Sequence, residues 1–373
     1  MNSADQKWMD YALQLARRGE GLTRPNPPVG AVLIRQGRKV GEGWHRRAGG
    51  PHAEVYALRQ AGEKARGATL YVTLEPCSTV GRTPPCTQSI IEHGVSRVVL
   101  AAIDPNPKHA SAAVRILKRH GIEVVCAVDQ TVAMDVLDPF RSRMLQQRPW
   151  VTLKLGVTMD GRIADRRGQS KWITGAAARE DVQALRRRCD AIWVGAGTVL
   201  ADNPSLWPRP DKGRRPWRIV SDDRAETAPD AKVYVDKWAA HTLLAVTREA
   251  APARLRQWQG RRNEIITVPK QRVAAVRKIL RVLYERGALH VLCEGGGTLA
   301  DALIRARVVD ELVLYIAPRM MGGNQGVPAV QGSGRLMHQL SEWTWTDHVQ
   351  IGTDLRLTAR PVGGEGASRP HQK

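Results

Sequence analysis

The segment Pro51-His52-Ala53-Glu54 decides how the first half of the chain is interpreted. Two cysteines follow it, Cys77 directly after a proline and Cys86 further along. One imidazole and two thiolates provide three protein ligands for zinc and leave a fourth position for water, which distinguishes a catalytic zinc site from a closed structural one. Glu54 lies two residues after the histidine, so its carboxylate is close enough to move protons without binding the metal.

This division of roles is typical of zinc-dependent nucleobase deaminases and predicts hydrolytic removal of an amine from a nitrogen heterocycle. A structural zinc site is the main alternative interpretation. It would need a fourth ligand at a suitable spacing, but Cys126, Cys189 and Cys293 are scattered singly, and His45 and His93 lack such a spacing. The sequence therefore favours a catalytic zinc centre.

Length and composition indicate a globular protein of two domains. The chain has 373 residues, which is enough for two ordinary hydrophobic cores, and its 42% hydrophobic and 25% charged content argues against disorder. No apolar run has the length of a membrane span. The metal claims two of the five cysteines, and the remaining odd number gives no disulfide framework. We therefore expect a cytoplasmic protein without membrane association.

The net charge of +21 leaves the nature of the partner open. A polyanion such as RNA is one interpretation. However, the excess is spread over both halves, the densest run is only Arg186-Arg187-Arg188, and there is no basic tail. This pattern favours binding sites for phosphorylated small molecules, and nucleic acid is the weaker alternative.

Helical and extended segments alternate along both halves, which predicts an α/β chain. Pro51 and the breaker-free run 53–66 predict a helix whose first turn carries His52 and Glu54. Thr174 is the expected N-cap of a helix in the second half. The boundary is expected near 146–149. Strands are predicted at 31–34, 70–74, 98–103, 124–128, 151–155, 191–194, 218–220, 242–246, 290–293 and 312–316, and further helices near the N-terminus, after Pro85 and around 112–119.

Two glycine-containing turns follow predicted strands in the second half, at 194–198 and 294–299. Glycines there let backbone N–H groups approach a phosphate, and the start of the next helix adds its dipole. Either turn alone is equally compatible with an ordinary tight connection. Together, without a Walker lysine or a GxGxxG motif, they predict a nucleotide cofactor outside a Rossmann fingerprint.

Motifs along nearly the whole chain resemble those of the bifunctional deaminase–reductases of riboflavin biosynthesis. In the first half they are Pro25-Asn26-Pro27-Pro28-Val29-Gly30, Pro51-His52-Ala53-Glu54, Glu75-Pro76-Cys77-Ser78, Gly81-Arg82-Thr83-Pro84-Pro85-Cys86 and Asp104-Pro105-Asn106-Pro107. In the second half they are Lys154-Leu155-Gly156, Asp160-Gly161-Arg162, Trp172-Ile173-Thr174, the run from Gly197 to Pro204 and Glu294-Gly295-Gly296-Gly297. The long spacing between Cys77 and Cys86 separates this family from cytidine and tRNA-adenosine deaminases, which have a much shorter one.

The resemblance implies an N-terminal cytidine-deaminase-like three-layer domain at 1–147, a dihydrofolate-reductase-like α/β domain at 148–362 and a disordered tail at 363–373. The first domain would deaminate 2,5-diamino-6-(5-phosphoribosylamino)pyrimidin-4-one. The second would use NADPH to reduce the ribosyl group of the product to a ribityl chain. A homo-oligomer formed through the reductase domain is also expected.

The resemblance also implies roles for individual residues. His52, Cys77 and Cys86 would bind zinc, Glu54 would move the protons and Lys154 would act at the reacting sugar. The residues expected to contact NADPH are Gly156, Trp172, Thr198, Asp202, Gly296, Gly297, Thr298, Leu299, Ala300, Asp301 and Ala302. The residues expected to contact the reductase substrate are Ser170, Arg186, Leu206, Arg209 and Glu294, with Arg186 and Arg209 on the 5′-phosphate.

Three positions depart from the family pattern. Thr79-Val80 replaces a pair of histidines in the loop between the zinc cysteines, Ser111-Ala112-Ala113 replaces a glycine-containing stretch, and Asp138 replaces a frequent asparagine. Two other interpretations remain open. A nucleic-acid deaminase is supported by the net charge, and a non-catalytic binding protein is opposed by the intact zinc ligands and Glu54.

Overall fold

The structure is a computed structural model that describes residues 3–79, 84–107, 109–126 and 130–363, with only the backbone of 130–134. The chain divides into two compact units, residues 1–147 and 148–373, and each is described separately. Within the described part of the chain, each helix is too short or too polar to cross a membrane. The expected disordered tail, apart from Gly363, lies outside the described residues, as do Val80 and positions 81–83.

The first unit is built on a five-stranded mixed sheet with the strand order β2-β1-β3-β4-β5. Strand β1 pairs antiparallel with β2 and β3, whereas β3, β4 and β5 are parallel. The helices are α1 (Ser3–Arg17), α2 (Ala53–Ala61), α3 (Cys86–Glu92), α4 (Ala112–Arg119) and α5 (Gln130–Gln146), and the strands are β1 (Gly30–Arg35), β2 (Arg38–Trp44), β3 (Thr69–Val72), β4 (Arg97–Leu100) and β5 (Glu123–Cys126).

Helices cover both faces of this sheet and give three layers. Alternate residues of a strand point to opposite faces. Accordingly, Ala31 and Leu33 of β1 pack with α2, α3 and α4, whereas Val32 packs with α1 and with Val136 of α5. The expected three-layer α/β fold of the first unit is therefore confirmed.

Two glycines of β2 let α2 lie directly against the strand. A Cβ atom on Gly41 would be 2.2 Å from the carbonyl oxygen of Ala57, and one on Gly43 would be 2.4 Å from that of Ala53. Both distances are far below van der Waals contact, so only glycine permits this approach. The close packing fixes the first turn of α2, which carries the predicted zinc-site residues.

Each strand predicted in the first half overlaps an observed one, although residues 127 and 128 of the last prediction lie outside the described part. The helix that begins after His52 ends at Ala61 instead of continuing to Arg66, because Gly62 has a left-handed φ of 52° and a 3₁₀ turn follows. Two elements are not predicted from the sequence. They are β2, whose glycines and charged residues obscure its alternation, and α5, which contains Pro139.

The second unit contains a nine-stranded sheet in the order β11-β10-β9-β8-β12-β6-β13-β16-β15. The strands are β6 (Trp150–Thr158), β7 (Arg162–Ala164), β8 (Ala191–Gly195), β9 (Trp217–Ser221), β10 (Thr242–Val246), β11 (Glu264–Thr267), β12 (His290–Cys293), β13 (Glu311–Ala317), β14 (Val327–Pro328), β15 (Trp343–Ile351) and β16 (Asp354–Pro361). The helices are α6 (Ala176–Arg188), α7 (Ala196–Asp202), α8 (Lys232–Val235), α9 (Pro252–Arg256), α10 (Arg272–Glu285) and α11 (Gly297–Ala306). Strands β15 and β16 are antiparallel, and β7 and β14 form a separate small ribbon.

The parallel strands, from β11 to β13, form the core of this unit. Helices α10 and α11 pack on one face, while α7 and α8 pack on the other over β8, β9 and β10, with α6 beside β13. Parallel strands buried on both faces are typical of α/β domains. The expected α/β class of the second domain is confirmed.

In the second half the structure corrects one expectation and adds one element that was not expected. Thr174 is not the N-cap of α6, because the helix begins one residue later and Gly175 occupies that position, where its N–H donates to the Asp354 carboxylate at 2.6 Å. The β15–β16 hairpin was not predicted. Its turn is marked by Gly352 with a φ of 62°, and its alternating polar and apolar residues were the signal available in the sequence.

We expect Gly43→Ala to destabilise the first unit by about 1–3 kcal/mol or more, because the added methyl group collides with the backbone of α2. It should also weaken zinc retention, since His52 caps the displaced helix. Thermal unfolding and metal content would measure both effects. Gly37→Asn is the matched control, because a Cβ at this turn meets nothing within 4 Å and asparagine tolerates its φ of 72°. Equal losses in the two variants would contradict the explanation.

Candidate functional site

The structure brings His52, Cys77 and Cys86 together in the first unit, with their ligand atoms within 4.8 Å of one another. His52 is the N-cap of α2, Cys77 follows β3, and Cys86 begins α3. The Nδ1 atom of His52 lies 3.2 Å from the Sγ of Cys86 and 3.5 Å from that of Cys77. Cys86 is buried and the other two are partly exposed, so the cluster is open on one side.

The thiols of Cys77 and Cys86 differ in their pKa values. Hydrogen bonding from the Cys86 thiol, together with His52, lowers the pKa of Cys77 to about 4. The same interaction raises the pKa of Cys86 above its ordinary value, and burial adds to the effect. The pair therefore already holds one thiolate at neutral pH, and the backbone N–H of Cys86 donates to the Cys77 sulfur at 3.3 Å. Since zinc binds thiolates and neutral imidazole, this donor set fits zinc.

Glu54 lies in the first turn of α2 and is buried. Burial raises the pKa of its carboxyl group above the ordinary value, although His52 opposes the shift. A raised pKa makes the carboxyl group a better proton acceptor than an ordinary glutamate, which suits a proton shuttle.

His45 supports the cluster, a role that the sequence did not reveal. It is buried, and its ring meets the ring of His52 edge-on at a centroid distance of 5.3 Å. Its Nδ1 lies 3.1 Å from the carbonyl oxygen of Pro51, and its Nε2 lies 3.2 Å from the side-chain nitrogen of Asn26. The carbonyl requires a proton on Nδ1 and the amide requires a lone pair on Nε2. His45 is therefore neutral, in agreement with a pKa that burial lowers.

Glu75 organises the loop beside the zinc cluster. Its buried carboxylate accepts hydrogen bonds from the backbone N–H groups of Asp104 at 3.2 Å, Ser111 at 2.9 Å and Ala113 at 2.9 Å. Ser111 has a left-handed φ of 59° at the start of α4. Glu75 thus fixes the segment Ser111-Ala112-Ala113, which is one of the three departures from the family pattern.

Lys154, Arg186 and Glu294 meet in the second unit, at the carboxyl edge of the parallel strands. Arg186 of α6 binds Glu294 through two N–H groups, one of them at 3.0 Å, and the Lys154 ammonium lies 3.9 Å from the same carboxylate. Burial alone would raise the pKa of Glu294, but the two cations outweigh it and lower the pKa. Burial lowers the pKa of Lys154 below its ordinary value, and Glu294 opposes that shift.

Both predicted glycine turns lie at starts of helices. Gly195 is the N-cap of α7 and Gly296 that of α11. A Cβ on Gly195, Gly197 or Gly296 would meet no atom within 4 Å, so space for a ligand lies beside each of them. Free N–H groups at helix starts attract phosphate. The turns therefore fit the phosphates of a dinucleotide, and Thr198 lies in the first turn of α7.

Several of the residues expected to contact NADPH lie in the interior. Leu299, Ala300 and Ala302 pack in the core beneath α11, so their side chains point away from a ligand at its start. The Asp301 carboxylate binds Arg305 at 2.7 Å and Arg335 at 3.2 Å. The open positions of this turn are Gly296 and Thr298, because Gly297 is buried against Pro328. The Thr298 hydroxyl also donates to the side chain of Gln331.

Of the remaining predicted cofactor residues, Gly156 and Asp202 lie near Lys154. Gly156 follows it on β6, where a Cβ would lie 4.0 Å from the lysine nitrogen. Ser170 lies 3.5 Å from the Asp202 carboxylate, which also pairs with Lys171 at 3.3 Å. Trp172 is 60% exposed, and the guanidinium of Arg179 lies 4.4 Å from its ring centre. An exposed indole beside this edge offers a stacking surface.

Leu206 and Arg209 lie on the loop that follows α7. Leu206 is buried, so its side chain packs in the interior of the unit. Arg209 is exposed, and its backbone N–H donates to the side chain of Gln183 at 3.0 Å. Arg186, by contrast, is already paired with Glu294, which leaves only part of its guanidinium for a phosphate.

Comparisons with known proteins agree with this arrangement. The family model described as the RibD C-terminal domain matches residues 149–357, and the cytidine and deoxycytidylate deaminase zinc-binding region matches residues 2–102. The riboflavin biosynthesis protein RibD of Bacillus amyloliquefaciens is 39% identical over 97% of this chain and 97% of its own length.

Two solved structures have the same architecture over nearly the whole chain. Acinetobacter baumannii RibD, form 1, superposes with a TM-score of 0.84 at 36% identity and covers 96% of this chain and 99% of its own. The Thermotoga maritima protein described as a diaminohydroxyphosphoribosylaminopyrimidine deaminase/5-amino-6-(5-phosphoribosylamino)uracil reductase has a TM-score of 0.84 at 34% identity, with coverages of 96% and 99%. With a zinc-binding deaminase region followed by a reductase domain, the chain belongs to the RibD family of bifunctional riboflavin biosynthesis enzymes.

Proposed function

We propose that residues 1–147 deaminate 2,5-diamino-6-(5-phosphoribosylamino)pyrimidin-4-one and that residues 148–362 reduce the ribosyl group of the product to ribityl with NADPH. The observation that carries the proposal is the His52, Cys77 and Cys86 cluster beside the buried Glu54, in one chain with a reductase domain. The Thermotoga maritima protein, which this chain resembles over nearly its full length, bears both activities in its description.

In the deaminase unit, Glu54 is the proton carrier. Zinc held by the three ligands supplies an activated water at neutral pH. Glu54 would take a proton at its carboxylate oxygen and deliver it to the departing amine. The raised pKa of its carboxyl group makes Glu54 a stronger base than an ordinary glutamate for the proton that it would take from the water. His45 keeps His52 in place through the edge-on contact of the two rings, and it adds no positive charge because it is neutral.

In the reductase unit, Lys154 is the group placed to stabilise negative charge. NADPH supplies the hydride, and the open glycine turns before α7 and α11 would hold its phosphates. The Lys154 ammonium would lie near the oxygen of the opened sugar, while Glu294 fixes the position of the lysine. Arg209, exposed beside this site, and the remaining N–H groups of Arg186 would bind the 5′-phosphate.

The direct test is one reaction that contains the protein, the diaminopyrimidinone substrate and NADPH, with ammonia and NADPH followed together. Ammonia should appear first and NADPH consumption should follow. A zinc chelator should abolish ammonia release but leave NADPH consumption intact when the deaminated substrate is supplied directly. Silence of both signals in the untreated protein would contradict the proposed function, and deamination of tRNA would then be the next assay.

Glu54→Gln should retain zinc and lower the deamination rate by roughly 10²–10⁴-fold, because the amide cannot carry a proton. Metal content and ammonia release would be measured on the same sample. The reductase rate on deaminated substrate serves as the internal control and should equal that of the parent. Normal ammonia release by a zinc-loaded variant would remove Glu54 from the mechanism.

Lys154→Met should lower the reduction rate by about tenfold or more, since the positive charge near the sugar is lost. In the parent, the Lys154 ammonium has a pKa below its ordinary 10.5, so the rate should fall as the pH rises through that lowered value. The variant should show no such inflection. An unchanged rate, or an inflection that persists in the variant, would show that Lys154 has no electrostatic role.

The expected homo-oligomer is supported by the free edge of the nine-stranded sheet. Strand β15 ends the strand order, and Trp345 and Val349 on it are exposed. An exposed apolar edge strand favours pairing with another chain.

A cytoplasmic location is supported by the absence of disulfides among the five cysteines, which are all free thiols within the described residues.

Val349→Lys should shift the protein towards the monomer in sedimentation experiments, because the charge is buried if a second copy pairs with β15. Ile265→Lys, on β11 at the opposite edge of the same sheet, is the matched control and should leave the mass unchanged. An oligomer that survives Val349→Lys, or a parent that is monomeric, would contradict assembly through β15.

A further inference from the structure

Arg218 is a charged side chain buried inside the second unit. It lies on β9, between β8 and β10, and its exposure is 0%. Removing a guanidinium from water is costly, so such a group persists only where several partners hold it. None of the catalytic or binding roles proposed above uses Arg218.

The partners of Arg218 belong to two separate segments. Its guanidinium donates to both carboxylate oxygens of Asp236, at 2.6 and 2.9 Å, and to the carbonyl oxygen of Ser205 at 2.9 Å. It also lies 5.4 Å from the ring centre of Trp207. One side chain therefore joins the segment after α8 to the loop after α7.

Two further contacts join the loop after α7 to α8 and to the segment that follows α8. The rings of Trp207 and Trp238 are stacked, with centroids 5.2 Å apart and planes inclined by 6°. The backbone N–H of Lys232 donates to the side chain of Asn203 at 2.8 Å. The loop is thus attached at Asn203, Ser205 and Trp207. The name clamp is used here for the four side chains Arg218, Asp236, Trp207 and Trp238.

The clamped loop has an unfavourable backbone conformation. Asn203 has a φ of 43° and Leu206 a φ of 58°, both in the left-handed region. Asparagine tolerates this region, whereas leucine is an uncommon residue there, and such a conformation persists only when surrounding contacts impose it. Ser205 and Trp207, which flank Leu206 on either side, are both held by the clamp.

The loop also lies where the reductase substrate is expected. It directly follows Asp202, and it carries Leu206 and Arg209, for which substrate contacts are proposed above. The loop continues towards α6, because the N–H of Arg209 donates to Gln183 and the carbonyl oxygen of Arg209 accepts from Arg187. Displacement of the clamped residues would therefore move both Leu206 and Arg209.

We infer that the clamp is a positioning device that holds the loop 203–209 in the conformation that binds the phosphorylated substrate of the reductase. This inference rests on the proposed function, because it takes Leu206 and Arg209 as substrate contacts. Arg218 acts through the loop, not on the reacting atoms. A buried ion pair contributes little net stability compared with apolar residues of the same size, so what it supplies here is geometry.

The test compares two variants in which a largely buried arginine–aspartate pair is lost. Arg218→Met with Asp236→Asn removes the ion pair of the clamp. The asparagine keeps an acceptor for the backbone N–H of Trp238, which donates to the Asp236 carboxylate at 3.0 Å in the parent. The KM for the reductase substrate should rise about tenfold, whereas kcat at saturation should fall less than about threefold, since a misplaced loop weakens binding more than hydride transfer.

Arg148→Met with Asp310→Asn is the matched control. Asp310 also binds its arginine through both oxygens, at 2.6 and 2.7 Å, and also accepts a backbone N–H, from Val151 at 2.8 Å. This pair lies at the amino ends of β6 and β13, at the opposite edge of the sheet from the site. The control should lose comparable stability with no change in KM. An equal rise of KM in both variants, or no rise in the clamp variant, would overturn the inference.

Single substitutions at Trp238 provide a second test in case the double variant of the clamp does not fold. Trp238→Phe keeps an aromatic ring against Trp207 and should retain the parental KM, whereas Trp238→Leu removes the stack and should raise it. Identical KM values in this series would also overturn the inference. Deamination by the same samples should be unchanged throughout and shows that the first unit is intact. If the parent itself did not oxidise NADPH with this substrate, the proposed function would fail, which is a separate result.

Discussion

Parallel pairing of strands is the constraint on which both sites depend. In a parallel sheet the carboxyl ends of the strands meet at one edge, and the helices that follow begin there. In the first unit this places Cys77, after β3, beside the starts of α2 and α3. In the second it places Lys154 and Glu294 beside the starts of α7 and α11.

Charges buried at these edges are balanced in different ways. In the first unit Cys77, Cys86 and Glu54 lie close together, and the negative charge of the thiolates would be balanced by the bound zinc ion. In the second unit Glu294 is balanced by Arg186 and Lys154. The charges of the reductase site are thus balanced by side chains of the protein itself.

Much of the fold could be predicted from the sequence because the central strands are short apolar runs bounded by turn residues. Strands such as β1 and β12 were identified for this reason. Strand β2 was missed, because Gly41 and Gly43, which its packing against α2 requires, remove the apolar residues that would mark it. The β15–β16 hairpin was missed because Asp347 interrupts the alternation of apolar and polar residues along β15, at the point where the register of the pair also shifts.

The sequence alone sufficed to predict the chemistry of the zinc centre, because ligand type and spacing are properties of the residues. His52, Cys77 and Cys86, which the structure brings together, were predicted in this way, and Glu54 with them. Only the tertiary structure decided which charged residues are free to bind a ligand. Arg186 is held by Glu294, Arg218 is buried against Asp236, and Arg209 is exposed. The physical reason is that an arginine's partner depends on contacts between residues far apart in the chain, which no local pattern records.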